Sequence, residues 1–123
     1  MGFFEAVRTT FLQKYATFEG RACRSEYWYA YLFSMVFGTA LMVLSGVAKD
    51  SLIALAIIVI VAIAMILPGI AVTVRRLHDT DRSGWSALIS FVPVIGGIMI
   101  LIWTCSRGTI GVNRFGSDPL SGV

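Results

Sequence analysis

Three stretches, residues 27–47, 52–74 and 83–106, each run for more than twenty residues without a charge. A helix rises 1.5 Å per residue, so about 20 apolar residues cross the roughly 30 Å of bilayer hydrocarbon. The apolar residues are clustered rather than periodic, which points to lipid and not to a soluble core. Of the 123 residues 57% are hydrophobic and only 14% charged, where soluble domains hold about a quarter charged. A soluble chain this short could not hide so much apolar surface. The expected fold is an all-α membrane protein of one domain, residues 1–123. It comprises an interfacial helix (2–19), three transmembrane helices (27–47, 52–74, 86–104), a polar loop at 75–85 and an irregular tail at 105–123.

The third run is ambiguous. Its middle reads Pro93-Val94-Ile95-Gly96-Gly97. It fits a third full span, or a re-entrant hairpin of two short half-helices turning there. The span avoids a costly lipid-exposed break in backbone hydrogen bonding. Lys and Arg bear on the choice. Three spans place Arg8, Lys14, Arg21, Arg24, Arg75, Arg76 and Arg82 on one side, against Lys49, Arg107 and Arg114 on the other. The hairpin leaves Lys49 alone opposite the rest. Both arrangements put the N-terminus and residues 75–85 in the cytoplasm. They differ over the C-terminus, which is outside with three spans and inside with the hairpin. The first apolar run starts too late and is too long for a cleavable signal, so it is expected to act as its own anchor.

Within 2–19, Phe4, Val7, Phe11, Tyr15 and Phe18 recur at helical spacing beside Arg8 and Lys14. That pattern suits a helix in the headgroup plane, or one packed on the protein's own membrane helices. Pro68-Gly69 should kink the second span, because proline removes a backbone hydrogen bond. Ser51 or Asp50 can cap that span, and Asp81 or Ser83 the third. Cys23 and Cys105 show no metal or disulfide spacing and read as semi-buried residues near the membrane boundaries.

The charges concentrate. Arg21, Arg24 and Glu26 form a collar before the aromatics Tyr27, Trp28 and Tyr29, as a helix shows when it crosses an interface. Arg75-Arg76-Leu77-His78-Asp79, followed by Thr80-Asp81-Arg82-Ser83-Gly84-Trp85, holds three arginines and the only histidine. Arg75 and Asp79, four apart, can pair weakly. An ion pair from Glu26 to Arg75 or Arg76 would clamp the first two spans. Arg75, Arg76 and Arg82 could also take lipid phosphates. A single histidine is too few for a metal-phosphohydrolase centre, so His78 reads as a helix-end hydrogen-bond partner rather than a base.

Gly20-Arg21-Ala22 with Arg24-Ser25-Glu26-Tyr27-Trp28, the Arg75–Thr80 run with Ser83-Gly84-Trp85, and Asn113-Arg114-Phe115-Gly116 with Asp118-Pro119 closely resemble the YhaH-like family of small bacterial inner-membrane proteins, catalogued as domain of unknown function 805. The likeness extends from about residue 18 to 119, with Cys23 a departure where a basic or small residue is expected. It implies a bacterial cytoplasmic-membrane protein of a few helices and brings no catalytic residues. The candidate contact and clamp residues are Arg21, Arg24, Glu26, Trp28, Arg75, Arg76, His78, Asp79, Arg82, Trp85, Asn113 and Arg114.

The functional expectation is an accessory subunit or homo-oligomer of the inner membrane. Its basic cytoplasmic face would meet anionic lipid and another membrane protein or a second copy. No enzyme activity, cofactor, metal or nucleic-acid partner is expected. An oligomeric transporter or channel is the alternative, disfavoured because the spans hold no ionisable residue. A membrane enzyme using His78 and Asp79 ranks third.

Overall fold

The computed structural model describes residues 2–120. Regular structure among them is helical, apart from an isolated bridge between Asn113 and Gly116. The chain forms α1 (Phe3–Arg8), which runs on as a π-helical turn (Thr9–Gln13), then α2 (Arg24–Val47) and α3 (Leu52–Asp79). A 3-10 segment (Gly84–Phe91) and α4 (Ile95–Cys105) follow. Of these, α2 and α3 are long and apolar enough to cross a membrane. They pack as an antiparallel pair joined by a tight turn, and Ser51 caps α3 by accepting from the Ala54 amide at 3.3 Å.

The burial pattern is inverted relative to a soluble protein. Leu52 and Val47 are 83% and 78% exposed, while Arg75 and Arg76 are fully buried. The buried apolar cluster of Ala22, Tyr27 and Val72, with Trp28 against it, sits at the charged end of the pair. Elsewhere the helices turn Ile, Val and Leu outward, a surface that only lipid or another apolar body can cover. The hydroxyls of Thr39, Ser45, Thr73 and Thr104 bond carbonyls of their own helices, as polar groups in lipid must.

Three boundaries depart from the sequence reading. First, α3 does not stop at residue 74 but carries Arg75, Arg76, His78 and Asp79 as its last turn, so the loop begins only at Thr80. The ending is a Schellman motif: the Asp81 amide donates to the His78 carbonyl at 3.0 Å and the Arg82 amide to that of Leu77 at 2.9 Å. Asp81 takes the left-handed position, φ 59°, which a short polar side chain tolerates. It thus ends α3, and Ser83 alone caps the 3-10 segment.

Second, residues 86–104 are not one helix. The chain reverses at Pro93–Ile95 in a γ-turn centred on Val94 (φ 65°, ψ −61°), closed by the Ile95 amide on the Pro93 carbonyl at 2.7 Å. Gly96 is required just beyond it, because any Cβ there would strike the Ile89 carbonyl. Both ends of the run return to the end of α3: Gly84 abuts Val74, and the Thr104 and Ser106 carbonyls accept from Arg76.

Third, helix in the N-terminal arm covers only residues 3–13. Its π turn adds a residue and brings both Thr9 and Thr10 inward. Phe3 and Phe11 pack on Tyr29 and Phe33 of α2, whereas Phe4 and Leu12 face outward. One arm therefore offers both apolar faces considered from the sequence.

Pro68 lies inside α3 and has no amide hydrogen, which leaves the Ala64 carbonyl without its intrahelical donor. The Tyr15 hydroxyl donates to that carbonyl. The arm is thus pinned to α3 where proline opens the backbone ladder. Tyr15→Phe is expected to cost about 1–3 kcal/mol, the penalty for an acceptor left without a donor on a surface where lipid supplies none. In a Pro68→Ala background, where the amide restored at that position serves the Ala64 carbonyl, the same change should cost close to nothing. Unfolding of the four proteins in detergent micelles measures the difference, and equal costs in both backgrounds would dismiss the pin.

Candidate functional site

The C-terminal turn of α3 is the hub. Helix ends leave carbonyls without partners, and donors from two distant segments come to this one. The Arg75 carbonyl accepts from the Ala22 amide at 3.0 Å, and that of Asp79 from the Thr109 amide at 2.6 Å. The His78 carbonyl accepts from the Asn113 side-chain amide at 2.9 Å. The loop before α2 and the tail after α4 are therefore tied to the same helical turn.

The buried charges are satisfied mainly by one another. Glu26 of α2 meets Arg75 of α3 at 2.5 Å, both almost wholly buried, and Thr10 donates to the same carboxylate oxygen at 3.4 Å. Asp79 takes two guanidinium groups, Arg21 at 2.9 Å and Arg76 one turn earlier in α3. Most of the remaining nitrogens reach backbone, Arg75 Nη2 being buried without a hydrogen-bond partner among the described residues. Arg75 Nε donates to the Thr17 carbonyl at 3.1 Å, Arg76 Nη1 to Ala22 at 3.2 Å and Arg76 Nε to Thr104 at 3.0 Å, while Arg21 bonds the carbonyls of Thr109 and Gly111. Gly108 passes so close that a Cβ would overlap the Asp79 carboxylate. A small residue is compulsory where the tail crosses.

The expected Arg75–Asp79 pair does not form, because Arg75 is drawn across to Glu26 and Asp79 to Arg21 and Arg76. Arg75 and Arg76 have no exposed surface, so lipid phosphate cannot reach them and that part of the sequence reading is corrected. Arg21, expected at a wet collar, is only 5% exposed.

His78 stacks flat on Phe115, with centroids 3.9 Å apart and planes at 2°, and its Nδ1 faces the Gly20 carbonyl at 2.9 Å. It is a helix-end partner in this geometry. Arg114 bonds Asp81 through the backbone carbonyl at 2.9 Å and the carboxylate at 3.2 Å, on an exposed surface. The tail is held again where Asp118 accepts from the amides of Gly111 and Leu120. Those two bonds, Leu120 first, hold its carboxyl below the usual 3.8.

Four candidates stand outside the cluster. Arg24 is exposed, Trp28 is half-buried against Tyr27 and Tyr31, Arg82 lies over the Trp103 ring at 4.8 Å, and Trp85 is 79% exposed. Cys23 is buried and Cys105 exposed, rather than both being semi-buried. Sequence reasoning missed Thr10, Thr17, Gly20, Ala22, Thr104 and Thr109. Most act through backbone carbonyls or amides, which side-chain patterns do not announce. No group of His, Cys, Asp and Glu that could hold a metal occurs among the described residues.

Residues 15–117 match the family described as "Protein of unknown function (DUF805)". The inner membrane protein YhaI of Escherichia coli (strain K12) is 42% identical over 111 residues, covering 90% of this chain and 92% of the relative. The inner membrane protein YhaH of the same organism is 41% identical over 114 residues, covering 88% and 91%. The uncharacterized protein YiiR, also from that strain, is 28% identical over 127 residues, covering 83% and 85%. No solved structure matches.

Removing one partner of a buried charge cluster costs about 3–5 kcal/mol, against about 0–1 kcal/mol for an exposed pair. Asp79→Ala should therefore be severely destabilised in a micellar unfolding titration, and Asp81→Asn, which removes the exposed charge and keeps a side chain suited to the left-handed position, almost unchanged. Acid should also loosen the tail. The Asp118 pKa is lower in the folded protein than in the unfolded chain, so its contribution is complete above the ordinary carboxylate value and fades as pH falls through the lowered one. Hydrogen exchange at the Gly111 and Leu120 amides should lose protection over that window, and protection unchanged there would remove Asp118 as a tail anchor.

Proposed function

This chain belongs to the DUF805 family, and from that premise we propose that it is a membrane-embedded interaction subunit of the bacterial inner membrane, with no catalytic role of its own. The observation that carries the reading is how the polar residues are spent. The cluster that would be the natural place for chemistry is buried, and its charges are committed to one another and to backbone carbonyls. Its work is to fasten α2, α3, the N-terminal arm and the tail into one body. The surface left over is apolar along α2, α3 and α4, suited to lipid and to the helices of a partner or a second copy.

In the same reading, α2 and α3 are the two full spans, and residues 84–105 form a re-entrant hairpin entering and leaving on the cytoplasmic side. Two facts support it: both ends of that run touch the last turns of α3, and the hairpin leaves Lys49 as the single basic residue opposite nine others. The N-terminus, the Asp81 turn and the tail then share the cytoplasmic face, where Arg24, Arg107 and Arg114 remain exposed toward anionic headgroups.

A paired reporter fused to the C-terminus (phosphatase active outside, fluorescent protein folding inside) should fluoresce and show no phosphatase activity. The opposite result would remove the hairpin. Extraction of the native membrane into polymer-bounded discs should yield a particle larger than the monomer, with a stoichiometric companion or a second copy. A lone monomer at native expression would refute the interaction role.

A further inference from the structure

Two recesses lie end to end along the α2–α3 seam and are taken together as one slot. The larger, about 430 Å³, is walled by α2, α3, the 3-10 segment and α4; the smaller, about 170 Å³, adjoins it through Ser34, Met65 and Ile66. On α3 the slot runs from Thr73 to Ala62, about 17 Å at 1.5 Å per residue. Half of a 30 Å hydrocarbon core is about 15 Å, so the slot has the depth of one leaflet. Its lining is overwhelmingly apolar, with the Tyr27 and Thr73 side chains at the end nearest the charged cluster.

We propose that this slot holds one acyl chain of an anionic phospholipid, whose phosphate is taken by Arg24. The proposal rests on the reading of α2 and α3 as membrane spans. Charge places the headgroup. Arg24, Tyr27, Tyr31, Ser34 and Gly38 recur at three- and four-residue steps and so share one face of α2. That face begins with an exposed guanidinium, passes tyrosines and continues into the slot. Arg24 makes one long hydrogen bond, 3.5 Å to the Cys105 carbonyl, leaving donors directed to the surface. Unlike Arg75 and Arg76, it can meet a phosphate.

An anionic amphiphile matches both parts of the site: the leaflet-deep apolar recess suits a chain, and the exposed Arg24, one turn before Tyr27 on the same face of α2, suits its phosphate.

The test uses full-length protein reconstituted in vesicles of phosphatidylethanolamine and phosphatidylglycerol, extracted, washed and weighed by native mass spectrometry. Gly69 and Gly38 line the slot, and a Cβ at either meets nothing within 4 Å. Gly69→Leu therefore has room to start a side chain into the slot, and Gly38→Leu is the second variant should the first fail to fold. The wild type should carry one phosphatidylglycerol. The filled variants should lose it at least tenfold with helicity unchanged, and the outward-facing control Val43→Leu should keep it. Arg24→Gln should hold the two lipids equally.

Undiminished retention in a folded filled variant would overturn the slot, as would equal loss in the control. A preference for phosphatidylglycerol that survives Arg24→Gln would overturn the phosphate assignment. A bound mass equal to a free fatty acid would overturn the phospholipid. Partner or self-association is read from the protein mass in the same spectra, so its presence without bound lipid would leave the interaction role standing and fell only this proposal.

Discussion

Everything at the charged end of this protein depends on Asp79 being held between two guanidinium groups beneath the tail. A carboxylate buried in an apolar helix pair is severely penalised unless fully compensated. Arg76 supplies one partner from the same helix, but the second, Arg21, comes from the loop before α2. Arg21 also carries the Thr109 and Gly111 carbonyls, so the residue that pairs with Asp79 fastens the tail as well. One anion thereby couples three segments far apart in sequence. The Glu26–Arg75 pair does the same for the two spans and, through Thr10 and Thr17, for the N-terminal arm.

Lipid gives this arrangement its logic. Helices in a bilayer gain no hydrophobic advantage by meeting one another, so close packing and polar contacts must hold them. Here the small and apolar residues of α2 and α3 leave a slot along the seam, and the strong contacts are gathered at one end. That end is tight and cross-linked, while the membrane-facing body is open. Such a division suits a subunit that keeps its own joint intact while its sides stay free for lipid or a companion helix.

Much of this was legible in the residues. Two of the three long uncharged runs are the helices long and apolar enough to cross a membrane, and the depth of Glu26 pointed to its pairing across to α3. Pro93 and Gly96-Gly97 pointed to the break in the third run, though hydropathy alone could not choose a hairpin over a span. What stayed hidden has a common physical cause. Arg21 and Asp79 lie 58 residues apart, and most of the other contacts end on backbone carbonyls, which every residue possesses. Asn113 and Arg114 stood out only as candidate contact residues of an irregular tail, because nothing in their spacing tells that the turn folds back onto His78. The tyrosine serving the carbonyl orphaned by Pro68 was equally silent, since Tyr15 fits an amphipathic face on its own.

If the buried charges are a structural joint, a double-mutant cycle on Glu26 and Arg75 must show strong coupling. Each residue would be replaced singly and together, Glu26→Leu and Arg75→Met, and the unfolding free energies compared in one micellar system. Each single change is expected to cost about 3–5 kcal/mol by leaving a charge unpaired, and the double change to recover a large part of it. The coupling would then stand well above the roughly 0.5 kcal/mol seen for independent sites. Additive costs, with no recovery in the double variant, would show that the pair is not a joint.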